Sequence, residues 1–211
     1  GYTEQGRCAF TVDLSDFTVR QITTVNTGFE VLARKSRRLF YLNGDRVYAT
    51  HLDTLETQEI ATLPHPYTWG LGFTLNSDET MLAGCYCLGE ERYYQSGMPR
   101  KEWIRALWEA KRPNALYTLD VRTGQVNEFY HANEWLGHVQ FSPTDPTLLE
   151  FCHEGPSRDL DRMWLIRADG SDLRKLYAKK SPREFQTHEF WSSDGTAIWC
   201  DFQTPRLPAR I

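Results

Sequence analysis

The chain has 211 residues, of which 40% are hydrophobic and 13% aromatic, and its formal charge at pH 7 is −4. This apolar content excludes a disordered chain. Acidic and basic residues are mixed along the length without a Lys/Arg block, so no nucleic-acid partner is expected. No apolar run approaches the ~20 residues that a membrane-spanning helix needs, so no membrane partner is expected either.

The five cysteines are odd in number and irregularly spaced. One residue separates Cys85 from Cys87, whereas zinc ribbons and redox motifs use two. We therefore expect buried thiols in strands and a reducing compartment.

One sequence phrase occurs four times: an apolar alternating strand ends at an aspartate turn, and a second alternating strand follows. Its four aspartates are Asp13, Asp53, Asp120 and Asp169. Alternation on both sides of a tight turn predicts a β-hairpin at each copy.

A second phrase interleaves with the first and consists of a phenylalanine, a turn containing Asp with Ser, and a strand. Its copies begin at Phe73, Phe141 and Phe190. Side-chain oxygens of Ser and Asp hydrogen-bond the local backbone, which favours a tight turn before each strand.

The two phrases recur with nearly one period. Asp120 and Asp169 are 49 residues apart, and Ser142 and Ser193 are 51 apart. The corresponding earlier separations, 67 and 65, are about 16 residues longer. The excess coincides with residues 98–113, where apolar side chains share one helical face between two prolines. We therefore predict a helical insertion between strands of one repeat.

A period near fifty residues with four short strands is typical of a β-propeller blade. The sequence holds about four such units, and no closing strand is apparent near its end. We expect residues 1–211 to form a single all-β domain, part of a larger propeller of the TolB or WD40 type. A β-sandwich is the alternative, and the near-constant period argues against it.

Candidate site residues cluster in the last third of the chain. His138 and His188 precede the phenylalanine of the second phrase by three and two residues, which predicts equivalent positions in successive blades. His153 follows the intervening strand and Arg162 begins the next, so these four side chains can converge on one face. Spacing alone still favours a structural role for each histidine, because WD-type propellers commonly place a histidine there to bond a turn aspartate. Spacing likewise indicates that Glu154 and Glu189 cap turns or face solvent.

Several segments resemble the oligogalacturonate lyase family of pectin-degrading bacteria. They are GHVQFSPTD (137–145), FCHEGP (151–156), DRMWLIRADGSDLRKL (161–176) and THEFWSSDGTAIW (187–199). The SPTD and SSDG turns are generic to propellers, whereas FCHEGP joined to THEFW at this separation is specific.

The resemblance implies a seven-bladed propeller that cleaves short α-1,4-galacturonides, mainly digalacturonate, by β-elimination inside the cell, in the cytoplasm. It matches His188 to the base that takes the C5 proton, and Arg162 to the cation that binds the substrate carboxylate. A guanidinium can bind a carboxylate through two parallel hydrogen bonds, so a bidentate contact is expected. It places His138 and His153 beside the substrate. It also implies a divalent metal, Mn²⁺, held by His and Gln side chains outside this sequence, so we expect no metal ligand within it.

Two other functions remain open at this point. A non-catalytic TolB-like propeller would serve as a platform for protein interactions. The propeller cap of a serine peptidase would require a G-x-S-x-G hydrolase domain, and these 211 residues contain none.

Overall fold

The computed structural model describes residues 2–4, 6–65, 73–88, 97–156 and 159–204. Three antiparallel sheets of four strands follow one another along the chain, each a meander in sequence order. The first contains β5 (Gly28–Ala33), β6 (Arg38–Asn43), β7 (Arg46–His51) and β8 (Thr57–Thr62). The second contains β9 (Phe73–Leu75), β10 (Met81–Cys87), β11 (Asn114–Asp120) and β12 (Val126–Ala132). The third contains β13 (Leu136–Phe141), β14 (Leu148–His153), β15 (Met163–Arg167) and β16 (Arg174–Lys175).

Two-stranded sheets flank these three. They pair β1 (Tyr2–Thr3) with β2 (Gly6–Arg7), β3 (Phe10–Val12) with β4 (Val19–Gln21), and β17 (Phe185–Trp191) with β18 (Ile198–Gln203). The described part of the chain thus holds three complete blade-like sheets, and β17–β18 begin a further unit. This arrangement confirms the predicted antiparallel repeats.

Aspartate turns close the predicted hairpins. Oδ1 of Asp120 accepts hydrogen bonds from the N–H groups of Arg122 and Thr123 (3.0 and 2.7 Å), and Oδ1 of Asp169 accepts one from Ser171 (2.9 Å). These side-chain bonds satisfy backbone N–H groups that have no backbone acceptor within the turn. The hairpin strands β3–β4, β7–β8, β11–β12 and β15–β16 all lie where the phrase predicts them.

Turn glycines set how closely neighbouring sheets approach. Gly124 has φ +71°, and a Cβ there would lie 2.4 Å from the Ile60 carbonyl oxygen of the preceding sheet. Gly170 has φ +84°, and a Cβ there would lie 2.6 Å from the Phe129 carbonyl oxygen of the preceding sheet. Both positions need glycine for its backbone freedom and its missing side chain. The recurrence shows that successive sheets pack with one geometry.

The core lies between the sheets. Alternate residues of β10 face opposite neighbours: Leu82 and Tyr86 pack with the first sheet, whereas Ala83 and Cys85 pack with the third. The two-residue period of a strand produces this division, and burial on both faces explains why β10 and β11 are apolar nearly throughout.

The first strands of the sheets lie against one another, as around a propeller axis: β5 contacts β9, and β9 contacts β13. Three first strands, β5, β13 and β17, contain the same irregularity, a register shift with one residue at positive φ. These residues are Phe29 (+54°), His138 (+49°) and His188 (+55°). The structure therefore places the two histidines at equivalent positions, as the repeat predicts. A bulge of this kind redirects a side chain out of the regular alternation.

The predicted insertion is present as helix α1 (Arg100–Glu109), which is shorter than the predicted 98–113. Pro99 precedes its first turn, and the segment returns through Pro113 to β11. The helix lies between β10 and β11 in the chain, as predicted. Among the described residues, no helix has the length and apolar character needed to cross a membrane.

Candidate active site

A cavity of about 1060 Å³ opens between α1 and the last two sheets. Three of the four predicted site residues line it: His138 from β13, Arg162 just before β15, and His188 from β17. Glu154 and Asp201, neither of them predicted, also line it. The cavity thus collects groups that can exchange protons or bind anions from four separate segments.

His188 is oriented by an aspartate on the paired strand. Its Nδ1 lies 2.7 Å from Oδ2 of Asp201. A carboxylate accepts hydrogen bonds only, so this contact favours the tautomer with the proton on Nδ1 and leaves Nε2 as the basic nitrogen. The left-handed backbone at His188 costs free energy, and strained positions of this kind occur frequently at functional sites.

Arg162 is buried and is bound by two carboxylates. Nε and Nη2 donate to the two oxygens of Glu189 at 3.0 and 2.9 Å. Nη1 and Nη2 donate to the two oxygens of Glu154 at 2.7 and 3.2 Å. Four of the five guanidinium N–H groups are therefore occupied, and one on Nη1 remains. The expected bidentate grip on a substrate carboxylate does not agree with this arrangement, because no adjacent pair of N–H groups is free.

Burial and pairing have opposite effects on the charges in this cluster. Burial alone would raise the pKa of Glu189, but the hydrogen bonds and charge of Arg162 lower it to about 2. Burial likewise opposes the charge of Arg162, while bonds to Glu189 and Glu154 raise its pKa above the ordinary value. Both groups are therefore ionised at neutral pH.

His138 lies between the same two carboxylates. Its Nδ1 is 3.0 Å from Oε1 of Glu189, and its Nε2 is 3.5 Å from Oε1 of Glu154. Among the described residues no turn aspartate contacts the ring, in contrast to the structural role that spacing favoured. Arg162 and His138 thus contact the same two carboxylates, which fix the guanidinium relative to the cavity.

His153 is not among the residues that line the cavity. Its Nδ1 lies 3.2 Å from Oε2 of Glu134, and its ring stacks on Trp164 with centroids 5.0 Å apart. Burial lowers its pKa, although Glu134 opposes that effect. The structure thus gives no support to its predicted place beside the substrate, and it packs behind the cavity wall instead.

A group of potential metal ligands lies behind Arg162. Ligand atoms of Glu150, Cys152 and Glu189 lie within 4.8 Å of one another, and all three residues are buried. The group does not suit manganese, which prefers oxygen and nitrogen ligands. Burial raises the pKa of the Cys152 thiol well above its ordinary value, and both oxygens of Glu189 already accept bonds from Arg162. A second cation there would also lie beside the guanidinium.

Glu150 adds an unusual buried acid to this group. Burial first, and the charge of Glu189 second, raise its pKa well above the ordinary value. Its Oε2 has no hydrogen-bond partner among the described residues. The fold therefore favours the protonated form of Glu150, whereas the same side chain ionises above about pH 4.3 in the unfolded chain.

Replacing Glu150 with glutamine should stabilise the protein, and more so as the pH rises. Above pH 4.3 the folded wild-type protein binds one proton that the unfolded chain releases, so its stability falls with pH until Glu150 ionises in the fold. Glutamine mimics the protonated acid without this cost. We expect Glu150→Gln to increase the free energy of unfolding by about 1–3 kcal/mol at pH 8 and by less at pH 5.

Urea unfolding of the natural protein that contains this chain, at both pH values, measures the effect. Glu109→Gln, at an exposed position of α1, is the control and should change stability by less than about 0.5 kcal/mol. A gain from Glu150→Gln that is equal at pH 5 and pH 8 would contradict a protonated buried acid.

Comparison with known proteins agrees with this fold. The oligogalacturonate lyase family model matches residues 8–202. The chain belongs to the oligogalacturonate lyase family. The oligogalacturonate lyase of Dickeya dadantii (strain 3937) is 32% identical over 177 residues, which are 82% of this chain and 44% of that protein. The chain thus spans less than half the length of this curated relative.

Solved structures show the same relationship. An oligogalacturonate lyase in complex with manganese superposes with a TM-score of 0.80 at 30% identity, over 94% of this chain and 53% of that one. TolB from Acinetobacter baumannii superposes with a TM-score of 0.58 at 14% identity, over 90% of this chain and 42% of that one. At that identity the likeness to TolB shows the propeller fold alone, whereas the oligogalacturonate lyase family is also shown by sequence.

In this oligogalacturonate lyase family member, three side chains of the candidate site were not predicted from the sequence: Glu154, Glu189 and Asp201. The SSDG turn predicts a hairpin of β17 and β18. In a regular hairpin that pairs Trp191 with Ile198, His188 would lie opposite Asp201, so their contact could have been predicted. Glu154 and Glu189 offered no comparable signal, since charged residues are usually exposed and their common partner is distant in sequence.

Proposed function

We propose that the protein containing this chain cleaves short α-1,4-galacturonides, digalacturonate in particular, by β-elimination, with His188 as the base. The observation that carries the proposal is the His188–Asp201 pair, which borders the same cavity as Arg162 and His138. The family supports the substrate class. A neutral imidazole whose Nδ1 proton is held by a carboxylate is suited to accept a proton on Nε2.

The reaction breaks the C5–H and C4–O bonds and requires two proton transfers, one from C5 and one to the leaving oxygen. Nε2 of His188 takes the proton from C5, and the C5–H electron pair forms the C4–C5 double bond. The C4–O bond then breaks, and its electron pair leaves with the oxygen, which takes a proton from solvent and becomes the free C1 hydroxyl of the departing sugar. The C5 proton is acidic enough only when charge that develops on the C6 carboxylate is stabilised.

Arg162 provides that stabilisation in the proposed mechanism. The remaining N–H on Nη1 of Arg162 can donate to one carboxylate oxygen. His138 lies beside Arg162 at the same two carboxylates and lines the cavity in which the substrate is proposed to bind. Since Glu154 and Glu189 hold the guanidinium in place, the site need not reorganise as charge develops.

A divalent metal forms part of the proposal. The solved family member in complex with manganese supports the predicted use of Mn²⁺. When bound, such an ion supplies further positive charge at the substrate carboxylate. The group formed by Glu150, Cys152 and Glu189 does not suit that ion, so we propose ligands other than these three. The cytoplasmic location stays a prediction.

The direct test is incubation of the natural protein with digalacturonate and manganese. We expect a product with the ultraviolet absorption of a conjugated 4,5-unsaturated uronate, together with one equivalent of galacturonate. Absence of both products, with digalacturonate recovered intact, would overturn the proposed activity and favour the non-catalytic platform.

Replacing Asp201 with asparagine should lower kcat roughly 10- to 100-fold. Asparagine can hold the His188 ring through its amide N–H, which favours the tautomer with the proton on Nε2 and removes the base. Steady-state rates on digalacturonate measure the effect. Asp172→Asn is the control, because Asp172 pairs with Arg174 on another sheet and should leave kcat within about twofold of wild type. Equal rates for Asp201→Asn and Asp172→Asn would exclude the orienting role.

A further inference from the structure

The connection between β10 and β11, residues 88–113, is longer than the strands require. The two strands are antiparallel neighbours, and the Leu88 N–H donates to the Pro113 carbonyl at 2.9 Å where the connection begins and ends. A turn of two to five residues joins such strands in most hairpins. Here the extra residues bring α1 to the cavity, where Arg100, Trp103 and Ile104 form part of the wall. Long connections that border a site frequently carry binding residues.

The helix is fixed against the loops that border the cavity. Trp108 packs on Gly155 so closely that a Cβ at that glycine would lie 2.5 Å from Cδ1 of the indole. Trp103 lies edge-on to Trp135, with ring centroids 6.1 Å apart and planes at 65°. These contacts pack α1 against the cavity wall, and Trp103 and Trp135 give the cavity an aromatic corner.

Arg100 differs from the other cationic groups of the cavity. Arg162 is bound by Glu154 and Glu189, whereas Arg100 has no ion pair or hydrogen bond with any residue that the structure describes. It is also the first residue of α1, where the helix dipole disfavours positive charge. Its charge therefore contributes nothing to the stability of the helix, and all its N–H groups are available to an anion in the cavity.

The proposed substrate carries a carboxylate on each of its two sugars. In a 1,4-linkage, the C4–O bond that breaks belongs to the sugar that loses its C5 proton. The second sugar is the leaving group, and its carboxylate lies one ring away from the groups that act on the first. Because Arg162 has one free N–H group, a second carboxylate requires a cation elsewhere in the cavity.

We propose that Arg100 binds the carboxylate of the leaving sugar, and that Trp103 and Trp135 pack against the apolar C–H face of its ring. A guanidinium with free neighbouring N–H groups binds a carboxylate bidentately, which Arg162 cannot do here. Aromatic side chains provide the apolar surface typical of ligand sites. This assignment rests on the proposed function, and it makes the inserted helix the part of the protein that recognises a dimer over a monomer.

Kinetics of Arg100→Gln in the natural protein test the assignment. A lost charged hydrogen-bonding partner should raise KM for digalacturonate about 10- to 100-fold. We expect kcat to change less than about threefold, because the interaction does not involve the reacting atoms. Arg105→Gln is the matched control: Arg105 lies on the same helix, pairs with Glu109 and Asp159, and does not line the cavity. It should leave KM within about twofold.

A second substrate identifies the group that Arg100 contacts. Digalacturonate with a methyl ester on the leaving sugar lacks that negative charge, so wild-type KM should rise by about the factor seen for Arg100→Gln. In the variant, the acid and the ester should have the same KM. Two results would overturn the assignment. One is an Arg100→Gln variant whose ratio of KM for the ester to KM for the acid equals that of wild type. The other is a KM of this variant for digalacturonate that does not differ from wild type.

Binding separates this inference from the proposed activity. Calorimetric titration of digalacturonate into the His188→Ala variant needs no turnover, and adding Arg100→Gln should weaken the affinity by the same factor. An inactive wild-type protein would overturn the proposed reaction, while the titration would still decide the role of Arg100.

Discussion

Replacing His188 with alanine should lower kcat on digalacturonate about 10²- to 10⁴-fold, the usual contribution of a positioned base. The side chain is largely exposed to the cavity, and its hydrogen bond is to the equally exposed Asp201. Truncation therefore removes no core contact, and the thermal midpoint should stay within about 2 °C of wild type. The loss is thus expected in the chemical step.

Rescue by imidazole distinguishes a base from a structural histidine. The alanine variant leaves open space beside Asp201, in which free imidazole can take the place of the missing ring. We expect added imidazole to restore a measurable part of kcat, with a dependence on pH that follows the neutral form of the added base. His131→Ala is the control, because His131 pairs with Glu128 and is not among the residues that line the cavity. Wild-type turnover by His188→Ala would exclude His188 as the base.

The repeats were predictable because their turns are closed by local side chains. Asp120, Asp169 and the Ser/Asp turns bond backbone groups two or three residues away, so the signal lies within one short segment. The turn between β5 and β6 carries no such phrase, and the prediction missed it. Its N–H groups, those of Lys35 and Ser36, donate to the carboxylate of Glu79 in the next sheet (2.7 and 2.8 Å). A turn closed by a residue more than forty positions away leaves no local pattern.

The same distinction explains the site. The equivalence of His138 and His188 was readable from the repeat, and the structure adds that a bulge aims both side chains into one cavity. The pairing of Arg162 with two carboxylates was not readable, because one partner is eight residues away and the other twenty-seven. A buried carboxylate is rare without a partner, and identifying the partner requires the fold.

Replacing Arg162 with alanine should both destabilise the protein and abolish most of its activity. The change leaves Glu154 and Glu189 next to each other in a buried position without their cation, which costs about 3–5 kcal/mol. For a domain of this size the thermal midpoint should fall by about 6–20 °C. Arg167→Ala is the matched control, since Arg167 forms a half-exposed pair with Asp145 and its loss should cost less than about 1 kcal/mol.

The dependence of stability on pH tests whether this loss arises from the buried carboxylates. In the wild-type protein the pKa of Glu189, about 2, is lower than in the unfolded chain, so its contribution is present above about pH 4.3 and is lost as the pH falls toward 2. Without Arg162, burial raises that pKa instead, and the carboxylate favours folding only where it is protonated. The difference in thermal midpoint between Arg162→Ala and wild type should therefore be smaller at pH 5 than at pH 8. A difference that does not change with pH would contradict this account.

A neutral double variant separates the stability of the site from its chemistry. Arg162→Gln combined with Glu189→Gln removes one charge of each sign, and replacing both partners of a buried ion pair is frequently close to neutral for stability. We expect this variant to recover at least half of the thermal midpoint lost by Arg162→Ala and still to show kcat at least about 10²-fold below wild type. The recovered fold would show that the protein tolerates the loss of the pair, and the missing activity would then belong to the guanidinium itself. Recovery of turnover together with stability would instead assign Arg162 a structural role and leave the cavity without its fixed cation.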